Sequence, residues 1–299
     1  MFKTQTGFGF RVSSFEFNPK PRNRNSKHFL RTAATLLTLL GVATMAQAAP
    51  KSELWPRWQK NDAASKQKID HAAWDAFLKK YVVVNPGGIN RVRYATVTPD
   101  DRTALINYVK SLEAVSISTY SRAEQRAYWI NLYNAKTVEL ILSRFPVKSI
   151  RDINISPGLF VSGPWGAKNM TVEGEKISLD DIEHRILRPI WKDNRVHYAV
   201  NCASNGCPNL QPTAFTTENM ESLLDKGARE YINHPRGVSL TGGKLKVSSI
   251  YVWFQEDFGS TEGLMQHWGK YATGALADGL KSYNGGLEHD YDWNLNGAN

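Results

Sequence analysis

Two cysteines are the most reactive groups in this chain, and they stand close together. Cys202 and Cys207 occur as C-A-S-N-G-C and are the only thiols among 299 residues. A pair with this spacing could close a disulfide, leave one reactive thiolate, or give two ligands to zinc. A disulfide over so short a loop would contribute roughly 2 kcal/mol in the chain-entropy picture. Zinc would need further ligands, and the histidines show no second regular spacing, so neither a metal nor a cofactor is expected.

Two histidines could serve such a thiol. His184 follows Glu183, with Asp180 and Asp181 one turn earlier and Arg188 one turn later. A carboxylate could orient that imidazole as a general base requires, and local charge pairing on a helix would equally account for the pattern. E-H-R-I-L-R is not the H-E-x-x-H of metalloproteases. Arg195 to Cys202 alternates as a strand, with Val196, Tyr198 and Val200 on one face and His197, Ala199 and Asn201 on the other. Along such a strand His197 would lie roughly 16 Å from Cys202 unless the chain bends between them. The sequence has no Gly-rich phosphate loop, G-x-S-x-G elbow or paired C-x-x-C. Trp55, Trp58, Trp74 and Trp165 could line a groove for carbohydrate or could all be core.

The elements that must position these groups read as follows. Trp74, Phe77, Leu78 and Tyr81 fall at helical spacing ahead of the turn cluster Asn85-Pro86-Gly87-Gly88. Thr98-Pro99-Asp100-Asp101 and Ser121-Arg122-Ala123-Glu124 are capping boxes. The second opens the longest helix, to about Arg144, which is apolar nearly all round and therefore the buried centre. Asn131 and Asn134 lie on one face of it, and each needs partners, because a buried orphan amide costs about 1–3 kcal/mol. Met170 to Ile177 and Val238 to Val247 read as hairpins. Ser178-Leu179-Asp180-Asp181 caps a short helix that Pro189 should close. An amphipathic helix then carries Met220, Leu223, Leu224 and Tyr231, and short helices lie around 251–258 and 264–271. Helices and hairpins mix without a βαβ rhythm, which predicts an α+β fold: one helix-rich domain around a buried helix, with a small antiparallel sheet and hairpins.

Charge and leader bound the setting. The net charge is +9, but residues 1–48 hold seven basic side chains and one acidic, leaving +3 for residues 49–299. So weak a balance argues against a nucleic-acid partner. The hydrophobic fraction of 41%, with 9 Trp and 12 Tyr, suffices for a core and excludes disorder of the body. Arg31 precedes a short apolar run, Ala33 to Met45, and Ala46-Gln47-Ala48 offers small residues for cleavage. This is the three-part pattern of a secretory signal, and its apolar run is too short to span a bilayer. The expected organisation is a leader at 1–48, an N-terminal segment at 49–69 and a globular domain at 70–296. The mature chain, soluble and without a transmembrane span, would be periplasmic or extracellular. The polar stretch before Arg31 is either an extension removed with the signal or lies upstream of the true start.

Several blocks are familiar together: R-A-Y-W-I-N-L-Y-N-A (126–135), S-L-D-D-I-E-H-R-I-L-R (178–188), R-V-H-Y-A-V-N-C-A-S-N-G-C-P-N-L (195–210), W-F-Q-E-D-F (253–258) and Y-D-W-N-L-N (291–296). They resemble the family catalogued as domain of unknown function 547, over most of residues 70–296. The resemblance implies that His184, His197, Asn201, Cys202 and Cys207 occupy its motif positions. A more distant likeness to papain- or transglutaminase-type thiol enzymes would assign Cys202 as nucleophile and a histidine as base.

Two function classes follow. One is an exported thiol-dependent amide hydrolase or acyl transferase of the cell envelope. Its nucleophile would be Cys202, its base His184 or His197, and its orienting or oxyanion-stabilising amide Asn131, Asn134 or Asn201. The other is a non-catalytic exported binding or structural module stapled by a Cys202–Cys207 disulfide. Because buried polar groups are satisfied most cheaply by one another, His184 or His197 and Asn134 should line one pocket beside the 202–207 loop.

Overall fold

The periodic residues Trp74, Phe77, Leu78 and Tyr81 are all buried along α1 (Ala72–Tyr81). α1 runs into β1 (Val82–Val83), which pairs antiparallel with β2 (Arg91–Val92) after the turn cluster. α2 (Pro99–Glu113) starts where its cap predicts, the Thr98 side chain accepting from Asp101 N–H. α3 (Arg122–Arg144) starts likewise at Ser121, and its residues from Glu124 to Val138 are buried without interruption. A helix enclosed on all sides must be the centre of the core. Trp58, from the segment before residue 70, is buried edge-on against Trp129 of this helix, at 5.1 Å between ring centroids. This computed structural model describes residues 50–158 and 161–298, which belong to one compact unit. The signal peptide expected in residues 1–48 lies outside them.

β3 (Met170–Val172) and β4 (Glu175–Ile177) form the first expected hairpin. The capping box at 178–181 forms, with the Asp181 carboxylate accepting from Ser178 N–H and the Ser178 hydroxyl from Asp181 N–H. The helix that follows does not stop at Pro189. It makes a π-helical turn, Asp181–Leu187, and continues as α4 (Arg188–Trp191). Proline has no N–H to offer the Arg185 carbonyl, and the wider turn sends Arg188 N–H back to Glu183. The carbonyls of His184 and Arg185 accept instead from Glu53 and Trp55 N–H, so the segment after residue 50 is strapped along this helix.

The expected strand at 195–202 is a correction. Residues Asn194–Tyr198 form a 3-10 turn, begun by the Asp193 carboxylate accepting from Arg195 N–H. Alternation alone cannot make a strand where no neighbouring strand takes up the backbone. Here the Asn134 side chain supplies the pairing, donating to the Ala199 carbonyl and accepting from Asn201 N–H, both at 2.8 Å.

The amphipathic helix is α5 (Met220–Ile232). β5 (Val238–Thr241) and β6 (Lys244–Ser248) make the second hairpin. α6 (Ile250–Trp253), α7 (Gln255–Phe258), α8 (Thr261–Tyr271) and α9 (Gly274–Ser282) follow. β7 (Leu287–Asp290) then returns to pair parallel with β6, so this sheet is mixed rather than antiparallel. The fold class is α+β, as the element pattern predicts. Among the described residues no helix is long and apolar enough to cross a membrane.

Candidate functional site

The loop 202–207 is shaped by amides from two directions. Asn134 reaches it from α3 through the bonds just described. Asn201 accepts from Ala203 N–H at 2.9 Å and donates to the Pro208 carbonyl at 2.7 Å, joining the two ends of the loop around the cysteines. Ala203, between them, sits at φ +59°, a left-handed conformation that costs a non-glycine residue about 1–2 kcal/mol. Tyr231 of α5 donates to the Gly206 carbonyl. The C-terminal tail closes the other side: Gly206 N–H bonds the Asp292 carbonyl and Asn205 N–H that of Asn294. A Cβ on Gly206 would lie 2.9 Å from Asp292 N and 3.0 Å from its carbonyl oxygen, so only glycine permits this approach.

Inside this frame the two sulfurs face one another. They are free thiols 3.0 Å apart, and Cys202 N–H donates to Cys207 Sγ at 2.9 Å. Cys202 Sγ also meets the Tyr291 hydroxyl at 3.0 Å and the Ser204 hydroxyl at 3.3 Å. The pair is asymmetric. The Cys207 S–H, then the two hydroxyls, hold the Cys202 thiol below its usual range against the opposing effect of burial. Burial first, and the neighbouring sulfur second, push the Cys207 thiol well above it. Cys202 is partly exposed and Cys207 is buried.

The histidines belong to a different cluster. His197 Nε2 pairs with Asp257 Oδ2 at 2.7 Å, and its Nδ1 lies 3.6 Å from Glu183 Oε1. Arg188 Nη1 donates to His184 Nδ1, and the same guanidinium binds Asp257 and Glu256. Phe254 stacks on both imidazoles, at 4.4 Å from His197 and 5.6 Å from His184. Burial disfavours a charged His197, but Asp257 and Glu183 outweigh it and raise its pKa. Burial lowers that of His184 to about 4. Glu183 is buried too, yet His184, His197 and Arg188 bring it down to about 2. Asp180, partly exposed, is pushed up to about 7 by burial and by the Glu183 and Asp181 charges.

The expected site residues thus fall into three settings. Cys202 and Cys207 touch each other and hydroxyls, and among the described residues no imidazole is a hydrogen-bond partner of either sulfur. Asn134 and Asn201 hold the loop backbone. Asn134 and Asn131 also line a narrow crevice with Trp74, Leu210 and Phe215, in which neither histidine takes part. Trp58 and Trp74 are core, and Trp55 and Trp165 pack partly buried against it. Among the described residues no group of three or more acidic, His or Cys side chains is placed to hold a metal ion.

Residues 117–232 match the family described as "Protein of unknown function, DUF547". The chain carries a domain of this family. No curated protein and no solved structure matches the chain. The DUF547 segment contains the central helix, both histidines and both cysteines. The groups that complete their surroundings lie beyond it: Glu256, Asp257, Tyr291 and the 292–296 tail. In the sequence Asp257 and Tyr291 stand out only as members of the blocks 253–258 and 291–296. Their block positions were the one available signal, because their partners lie 60 and 89 residues away.

Proposed function

We propose that the chain is an exported protein in which Cys202 and Cys207 work as a thiol–disulfide couple, Cys202 being the less buried cysteine. One observation carries this reading: two sulfurs at contact distance, 3.0 Å, with opposite environments. In an oxidising compartment such a pair rests as the disulfide. A thiolate of a substrate dithiol would attack Cys202 Sγ, forming a mixed disulfide and breaking the Cys202–Cys207 bond, with Cys207 leaving as thiolate and taking up a proton. The second substrate thiol, losing its proton, would attack the substrate sulfur and release Cys202 as thiolate. The substrate is oxidised by two electrons and the protein pair reduced by the same two. A low thiol pKa makes Cys202 the better leaving group in that second step.

The test runs the exchange in reverse. The full chain as reduced Cys207→Ser, mixed with a disulfide-bonded peptide, should accumulate a mixed disulfide on Cys202, and reduced Cys202→Ser should accumulate none. Equal trapping by both variants, or none by Cys207→Ser, overturns the reading. A Cys202–Cys207 bond that resists dithiothreitol until the chain unfolds would instead make it the staple of a binding or structural module.

A thiol-dependent amide hydrolase or acyl transferase is the second reading, favoured by the depressed Cys202 thiol, which acyl transfer to sulfur requires. Its base would have to be other than His184 or His197 as they stand, since Arg188, Asp257 and Glu183 engage them. Release of an acyl group from Cys202 with Cys207→Ser fully active would favour it.

A further inference from the structure

Arg236 is a half-buried cation with an unusual shortage of partners. Its Nη2 donates to Asn209 Oδ1 at 2.6 Å, while Nε and Nη1 are sealed from solvent with no hydrogen-bond acceptor. Among the described residues no carboxylate comes within ion-pair distance of it. Glu230, which shares Asn209, is occupied by Asn209, Gln211 and Lys226. Burial of an unpaired guanidinium is costly, so its place in the fold calls for an anion.

Its surroundings say which anion. The guanidinium lies 5.4 Å over the Tyr231 ring, and the Tyr231 hydroxyl bonds the Gly206 carbonyl. Asn209, which accepts from Arg236 Nη2, stands two residues after Cys207. Arg236 thus contacts Tyr231, which holds the residue before Cys207, and Asn209, two residues after it, and the Cys207 sulfur is among the groups whose charge acts on the guanidinium. The other titratable groups around that sulfur are Cys202 and the hydroxyls of Tyr94, Tyr133, Tyr231 and Tyr291. Burial drives all four hydroxyls upward, so they stay neutral at pH 7.

We infer that Arg236 is the positioning residue that supplies charge to Cys207 when this sulfur leaves as thiolate. The inference rests on the dithiol reading and names what makes its buried half workable. A thiolate forming at a desolvated sulfur needs a fixed positive charge, and a guanidinium without a carboxylate can give its field to it. The Asn209 bond holds the planar group in place, and the Tyr231 face keeps it beside the loop.

The experiment reads the ultraviolet absorbance of the Cys207 thiolate against pH, in the full chain carrying Cys202→Ser. Adding Arg236→Gln should lower the thiolate fraction at a given pH on the order of tenfold, and Arg236→Lys should restore most of it. No change with Gln, or equal losses with Gln and Lys, overturns the proposal. If Arg236→Gln fails to fold, Asn209→Ala serves, because it loosens the guanidinium without removing it. A smaller fall in thiolate is then expected, and none overturns the idea. Failure of the dithiol reading shows separately, as inability of Cys202 and Cys207 to bond under an oxidant, because the Cys202→Ser titration does not depend on that bond.

Discussion

Asn134 and Asn131 offer a matched pair of perturbations on one helix. Each buried amide pins the backbone of a distant segment with two bonds. Asn134 holds Ala199 O and Asn201 N, and Asn131 holds Phe215 O at 2.7 Å and Phe215 N at 3.0 Å. Replacing either by Ala orphans one buried carbonyl and one buried N–H. At about 1–3 kcal/mol for each unsatisfied group, the loss should be about 2–6 kcal/mol, a large share of a typical domain's total. Urea unfolding at pH 7 should therefore find the two variants destabilised by similar amounts. They should differ in the cysteine loop. Asn134 fixes the residue that precedes Cys202, whereas the Asn131 bonds end at Phe215, beyond the loop. Equilibration with dithiothreitol should show the Cys202–Cys207 bond of Asn134→Ala reduced more readily, on the order of tenfold in its equilibrium constant, about 1.4 kcal/mol. Asn131→Ala should leave that constant near its original value. A loss under about 1 kcal/mol for both, or equal effects on the bond, would refute the assignment of Asn134 as the brace of the loop.

Three more outcomes follow. His71, His184 and His267 all have folded pKa values of about 4, chiefly through burial, below the ordinary 6.5. Each adds stability that is present above pH 6.5 and lost as pH falls toward 4, while His197, raised by its carboxylates, gives the opposite slope. Asp180, held at about 7, shares the slope of His197, but three outweigh these two, so urea midpoints should fall from pH 7 to pH 5, and fall further toward pH 2 as Glu183 and Asp257, each at about 2, take up protons. A flat or rising profile between pH 7 and 5 contradicts this. Gly206→Ala should cost about 1–3 kcal/mol and expose the tail beyond Tyr291 to protease, because the new methyl meets the Asp292 backbone; an unchanged melting curve would show that the tail yields. Intact mass of protein recovered after export should correspond to a chain beginning at Ala49, and retention of residues 1–48 would defeat the signal-peptide reading.

What the sequence determined by itself was local. Caps at Thr98, Ser121 and Ser178, the periodic face of α1, the apolar length of α3 and the two hairpins were legible because each is settled within a few residues by hydrogen bonds and hydrophobic spacing. The need of Asn131 and Asn134 for partners was legible too, since burial of an amide implies them wherever they are. Their identity was not. The alternation of Val196, Tyr198 and Val200 reads as a strand until α3 presents Asn134 to the same backbone. Pro189 reads as a stop until the Trp55 and Glu53 N–H groups arrive for the carbonyls a π turn leaves over. The same holds for the chemistry. Two cysteines with a turn between them are suggestive in any exported chain. That their sulfurs meet, that Tyr291 touches one and that Arg236 bonds Asn209, two residues beyond the other, were decided by tertiary structure. Contacts across tens of residues leave no period in the sequence, and so the pairing of His197 with Asp257, 60 residues away, was not legible in it.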